Sequence, residues 1–159
     1  MPVYTRTGDK GTTAVFGGKR LSKDEEQIHA YGTVDELTCC IGTALTTDID
    51  ADDTQRLTSI QHDLYTIMSI LSGADVSLAE ADDRISDMEQ AIDRLEKDLP
   101  ELTKFVLPQG SKESVHLHVA RAVCRRAERE IVGFFEEDTS ASTKHTDSVI
   151  QYINRLSDL

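Results

Sequence analysis

Apolar residues recur at steps of three and four along five stretches of this chain, and that periodicity restricts the fold more than any other feature. Ile28, Tyr31, Val34, Leu37, Ile41 and Ala44 make the first stripe, predicting a helix over about residues 24–45. Ser22 is a plausible N-cap for it, with Glu25 completing a capping box. Leu57, Ile60, Leu64, Ile67 and Leu71 predict a second helix that stops near Gly73, a residue suited to a left-handed C-terminal position. Ile85, Met88, Ile92, Leu95 and Leu99 predict a third, ended by Pro100. A fourth over about residues 111–135 buries Ala120, Val123, Ala127, Ile131 and Phe134, and a last one over about residues 143–158 uses Val149, Ile153 and Leu156. Between the third and fourth, Phe105-Val106-Leu107-Pro108-Gln109-Gly110 reads as an ordered loop, and Glu136-Glu137-Asp138 begins a surface connection. The expected fold is all-α: a five-helix up-and-down bundle forming one domain, 1–159, with an N-terminal segment over 1–23 and the bundle from about 24 onward.

Composition agrees. Aromatic residues are 5% of the chain, tryptophan is absent and there are three prolines, all of which favour helices over sheets. A formal net charge of -12 argues against binding to nucleic acid or to an anionic membrane surface, though not against a small anion held in a local basic pocket. Cys39 and Cys40 are adjacent and Cys124 is the only other cysteine, which suggests neither a disulfide framework nor a zinc site. With no signal-like or membrane-length apolar stretch, the expected location is the cytoplasm.

Against this acidic background the segment Tyr4-Thr5-Arg6-Thr7-Gly8-Asp9-Lys10-Gly11-Thr12-Thr13 gathers two cations, two glycines and several hydroxyls. Gly8 and Gly11 would let the backbone turn through positive φ and aim successive N–H groups at one point, with Arg6 and Lys10 adding charge. Such a segment suits an anion, a phosphate chain above all. A solvated arm with a tight Gly-Asp turn is the alternative.

The fourth helix carries Arg121-Ala-Val-Cys-Arg-Arg-Ala-Glu-Arg-Glu130, in which His118, Arg121, Arg125 and Glu128 share a face beside the apolar stripe. Like charges on adjacent turns repel unless an anion or carboxylates lie between them, and guanidinium matches phosphate oxygens two at a time. Arg126 and Glu130 read as a surface ion pair at i, i+4. Asp35 is a candidate partner for one of the arginines, Glu36 is expected to face solvent, and Asn154 is expected to face water or a ligand. Familiar alternatives fail on spacing: there is no G-x-x-x-x-G-K-S/T loop and no G-x-G-x-x-G. His116 and His118 diverge on a helix and cannot chelate one metal, and Cys124 reads as a small buried residue.

Taken together these segments resemble the PduO-type ATP:cob(I)alamin adenosyltransferases, the corrinoid adenosyltransferase family. The resemblance runs over essentially the whole chain through the residue 4–13 segment, Lys23 in Leu-Ser-Lys-Asp, Tyr31-Gly-Thr-Val-Asp-Glu-Leu37, Phe105-Val-Leu-Pro108, Arg121-Ala-Val-Cys-Arg-Arg-Ala-Glu-Arg129 and Tyr152-Ile-Asn-Arg-Leu-Ser-Asp158. It implies a homotrimer with active sites between subunits, ATP lying between the N-terminal loop of one subunit and the fourth helix of the next. Thr5, Arg6, Thr7, Gly8, Lys10, Thr13 and Lys23 would hold the phosphates of Mg²⁺-bound ATP, the metal being carried by the phosphates and not by a protein site. Arg125, Arg126, Glu128, Arg129 and Asn154 would complete the nucleotide site. Asp35 and Arg121 would pair between subunits, and Phe105 would press on the lower face of the cob(I)alamin or other corrinoid substrate. A reductase and an adenosylcobalamin-dependent enzyme are the implied partners.

Gln109 stands where the family commonly has glycine, and Gln27 and His29 replace charged residues often found before the Tyr-Gly motif. Two other readings keep part of this picture. One is a nucleotide sensor or corrinoid carrier without transfer, and the other a structural helical oligomer with no ATP affinity.

Overall fold

The computed structural model describes residues 4–97, 99–100, 103–137 and 145–159. A short antiparallel hairpin, β1 (Thr12–Ala14) and β2 (Arg20–Ser22), precedes five helices: α1 (Glu26–Ala44), α2 (Ala51–Leu71), α3 (Ala81–Glu96), α4 (Lys112–Glu137) and α5 (Thr146–Leu156). The five helices stand where the periodicity places them. The hairpin was not legible, because three residues per strand leave no alternation to detect.

Helix ends follow local chemistry. Asp50 caps α2 by accepting from the Asp53 amide at 2.9 Å. At the other end Gly73 adopts φ 92°, its N–H donating to Ile70 O at 2.9 Å and that of Ala74 to Ser69 O at 3.0 Å, which is the Schellman closure. The expected capping box on α1 does not form. Ser22 instead ends β2, its carbonyl accepts from Glu25 N–H at 3.2 Å, and Glu25 itself precedes the helix without a side-chain cap. Helix α3 ends before Pro100, since Lys97 already closes it, and Leu99 is exposed. Glu136 and Glu137, expected in a connection, are the last turn of α4; Asp138 and the proposed start of the last helix at Thr143 lie outside the described residues.

The bundle is built by α1 packing on α4 and α2, α4 on α5, and α5 on α3. One apolar cluster draws on all five helices, with Val34, Leu64, Ile67, Ala127, Ile131, Val149 and Ile153 fully shielded from solvent. Gln61 Nε2 reaches Thr38 O at 3.0 Å and Gln27 Nε2 reaches Leu71 O at 2.8 Å, so Gln27 satisfies a carbonyl at the end of α2.

Polar groups also enter the core. Tyr152, 1% exposed, donates to Asp63 Oδ2 at 2.8 Å, and Arg84 joins α3 to α2 by donating to Ser59 Oγ at 2.7 Å and to Asp63 at 3.3 Å. Burial beside the Asp63 carboxylate raises the Tyr152 phenol, which stays protonated and keeps donating. Cys124 lies against Ile153 O at 3.4 Å, and burial pushes its thiol up to about 12.

Tyr152→Phe leaves Asp63 short of a donor inside the bundle and is expected to cost about 1–3 kcal/mol in urea unfolding; an unchanged midpoint would contradict the role given to this network. Of the free cysteines, Cys39 is exposed and Cys124 buried. Near neutral pH a disulfide reagent is therefore expected to label Cys39 in the native protein and Cys124 only after unfolding. Since an unfolded thiol titrates near about 8.5, the Cys124 contribution to stability is complete below that value and is lost as pH rises through its folded value. Equal labelling rates for the two native thiols would refute this packing.

Candidate functional site

The N-terminal segment folds as an arch tied to the hairpin. Arg6 adopts φ 58° and its guanidinium carbon lies 5.5 Å from the centroid of the Tyr4 ring. Thr5 Oγ1 and Thr7 Oγ1 are 2.8 Å apart, and Gly11 takes φ 78°. Gly8, expected at positive φ, is not among the residues that adopt it. Its constraint is close approach: a Cβ there would lie 3.2 Å from Thr12 O and 3.5 Å from Lys23 Nζ. Lys23 is thereby brought onto the arch, and its own N–H donates to Gly11 O at 2.9 Å. Thr13 lies in β1, and Lys10 is exposed at the crest of the turn.

The second group of candidates lies on α4 and α5. Asn154 Nδ2 donates to Glu128 Oε1 at 2.8 Å, Arg125 Nη1 donates to Ser157 Oγ at 3.1 Å, and Arg129 Nη1 donates to Arg125 O at 2.8 Å. Arg125, Glu128, Arg129 and Asn154 are thus gathered on one flank, so Asn154 does not simply face water. Arg126 departs from the expected pair with Glu130: it turns to α1 and donates to Glu36, an acidic residue expected to be free in solvent. The antiparallel crossing of α1 and α4 puts Glu36 within reach across the helices, a proximity that i, i+4 counting cannot see.

Asp35 is exposed and, among the described residues, neither it nor Arg121 has a hydrogen bond or ion pair. Arg121 and His118 help line an open cavity of about 580 Å³ at the end of α1 away from the hairpin, whose walls are mostly apolar and include Leu37, Ile60 and Leu117. Phe105 is fully exposed in the loop before α4. Behind it Gln109 N–H closes on Leu107 O at 2.8 Å around Pro108, a tight turn that accommodates glutamine. Ser111 Oγ accepts from the Ser114 amide at 3.3 Å and starts α4. Among the described residues no hydrogen bond links the arch to the α4–α5 flank. Arg20, on β2, was missed as a loop component, because its reach back across the hairpin follows from a turn the sequence did not announce.

The chain matches the cobalamin adenosyltransferase family over residues 3–159. It belongs to that family. It is 40% identical over 167 residues to a corrinoid adenosyltransferase of Bacillus subtilis (strain 168), spanning 99% of this chain and 82% of that protein. It is likewise 40% identical over 167 residues to the corrinoid adenosyltransferase MMAB of Bos taurus, spanning 98% and 67%. Among solved structures, a phenylalanine-to-alanine variant of a PduO-type ATP:corrinoid adenosyltransferase from Lactobacillus reuteri, complexed with cobalamin and ATP, superposes with a TM-score of 0.86. Its sequence identity is 32%, over 99% of this chain and 88% of that one. An arginine-to-lysine variant complexed with ATP gives a TM-score of 0.84 at 34% identity, over 98% and 88%. The cobalamin adenosyltransferase resemblance drawn from the motifs is therefore borne out, and so is the five-helix bundle.

The Glu36–Arg126 pair is about half exposed on both sides. A double-mutant cycle with Glu36→Gln and Arg126→Gln is expected to return a coupling under about 1 kcal/mol that shrinks with salt. A larger, salt-insensitive coupling would mean that the pair is shielded in the assembled protein.

Proposed function

We propose that this protein transfers the 5′-deoxyadenosyl group of ATP to the cobalt of a reduced corrinoid and releases triphosphate. The observation that carries the reading is the cationic arch of residues 4–13, closed by Lys23, in a chain of net charge -12 that belongs to this family. Thr5, Arg6, Thr7, Gly8, Lys10, Thr13 and Lys23 hold the phosphates. Arg125, Arg126, Glu128, Arg129 and Asn154 complete the nucleotide site from a neighbouring subunit, which explains why one chain does not join the two groups. Asp35 and Arg121, without partners among the described residues, pair across the same interface of a homotrimer. Residues 1–159 act as one domain, and the three free cysteines fit a reducing cytoplasm.

Chemically, the cobalt–carbon bond forms as the C5′–O bond of ATP breaks, and both electrons of the broken bond leave with triphosphate. Co(I) is already a strong nucleophile, so the site needs no general base; the protein's part is to align C5′ and to stabilise the departing anion with the arch amides and cations. Phe105, exposed beside the start of α4, offers an apolar face to the lower side of the corrin and keeps an axial ligand away, which eases reduction to Co(I). Among the described residues no group of three or more His, Cys, Asp or Glu side chains is placed to hold a metal ion. Mg²⁺ would accompany the triphosphate and offset part of its charge. A reductase supplies the electrons and an adenosylcobalamin-dependent enzyme takes the product.

Mixing the protein anaerobically with MgATP and chemically reduced cob(I)alamin is expected to give light-sensitive adenosylcobalamin with equimolar triphosphate. Arg125→Ala is expected to lower kcat/KM for ATP by at least about tenfold. ATP bound without product would point to a sensor or carrier, and absence of ATP affinity to a structural oligomer.

A further inference from the structure

The hairpin holds one arginine that the nucleotide reading leaves unused. Arg20 pairs with Ala14 in the ladder, and its side chain reaches back over the arch. Its Nη2 donates to Thr7 O at 2.6 Å, to Thr12 O at 3.2 Å and to Thr12 Oγ1 at 2.6 Å. These contacts fall on both ends of the turn, so a single cation fixes the span between them.

Three more carbonyls of the turn are engaged, whereas those of Thr5, Asp9 and Lys10 accept from no group among the described residues. Arg6 O accepts from Asp9 N–H at 3.4 Å, Gly8 O from Gly11 N–H at 3.1 Å, and Gly11 O from Lys23 N–H at 2.9 Å. The amides of Thr7, Gly8 and Lys10, by contrast, donate to no group among the described residues. The carbonyls of Thr7 and Thr12, at the two ends of the turn, are thus tied to Arg20, while the amides of Thr7, Gly8 and Lys10 stay free to donate. A polyphosphate requires this polarity, since carbonyl oxygens facing it would repel it while N–H groups and ammonium ions attract it. Without Arg20, the carbonyls of Thr7 and Thr12 lose their cation and regain freedom to rotate outward.

We propose that Arg20 is a positioning residue for the triphosphate of the bound nucleotide, acting by clamping the two ends of the arch through the carbonyls of Thr7 and Thr12. The inference rests on the reading of residues 4–13 as the phosphate site. It assigns Arg20 a role in ATP affinity and none in binding the corrinoid or in the stability of the helices, because the hairpin contributes only Leu21 to the buried residues.

The test titrates MgATP calorimetrically into the wild type, Arg20→Ala, Arg20→Lys and Arg125→Ala, and measures KM and kcat for both substrates. Arg20→Ala is expected to raise Kd and KM for MgATP about ten- to a hundredfold, while the corrinoid KM and the thermal midpoint stay near wild type. Arg20→Lys keeps the charge without the planar fork and is expected to recover part of the loss. Thr12→Val, which removes only the hydroxyl contact, is expected to weaken MgATP several-fold and gives an independent measure should Arg20→Ala fold poorly. Arg20→Ala and Thr12→Val binding MgATP as the wild type does, with Arg125→Ala impaired, would overturn the role of Arg20 and leave the nucleotide site standing. A rise in KM for both substrates alike would also overturn it. Wild-type affinity in all variants, Arg125→Ala included, would remove the nucleotide reading itself.

Discussion

Small side chains let α1 and α4 lie close together along much of their length. Ala30 and Ala127 are buried to 0% exposure in the shared apolar cluster, and a Cβ on Gly133 would stand 3.6 Å from Glu26 Oε2. Close packing of this kind transmits position with little slack. Because β2 runs almost directly into α1, the hairpin and its arch are anchored to the first turn of that helix; because Arg125, Glu128 and Arg129 project from α4, they are anchored to the same pair. Replacing Ala30 or Ala127 with a larger residue would separate the helices and move both halves of the candidate site at once.

Charge is distributed against the average of the chain. With an overall net charge of -12, repulsion works against any bound polyphosphate at long range, although a field of this kind falls off over about 10 Å at moderate salt. Local donors then decide the matter. The arch supplies Arg6, Lys10 and Lys23 with backbone amides, and the α4 flank supplies arginines each tied to a neighbour: Arg125 to Ser157, Arg126 to Glu36, Arg129 to a carbonyl. Pre-ordered donors of this type lose little conformational freedom when an anion arrives.

The helical stripes were readable because burial repeats every three or four residues: Ala120, Val123, Ala127, Ile131 and Phe134 are all buried as the spacing requires. The third helix was readable in existence and less so in extent, since Leu95 and Leu99 continue its pattern yet remain exposed. Features that depend on contacts distant in sequence were not legible. Arg126 chooses Glu36 over Glu130 because two helices cross, Asp63 is buried because Tyr152 and Arg84 converge on it from α5 and α3, and Arg20 closes the arch because a hairpin folds back. Gly8 shows a subtler case: glycine was recognised as necessary there, but the reason is the nearness of Thr12 O and Lys23, not backbone handedness.

The central claim is that the arch of one chain works with the α4–α5 flank of another. Co-expressing Lys23→Ala and Arg125→Ala chains, each expected to be impaired alone, tests it most directly, because an interface shared between chains can then combine an intact arch with an intact flank. The account predicts recovered transfer at about one quarter of the sites for random assembly. No recovery in isolated mixed oligomers would place both halves of the site in the same chain and contradict the account.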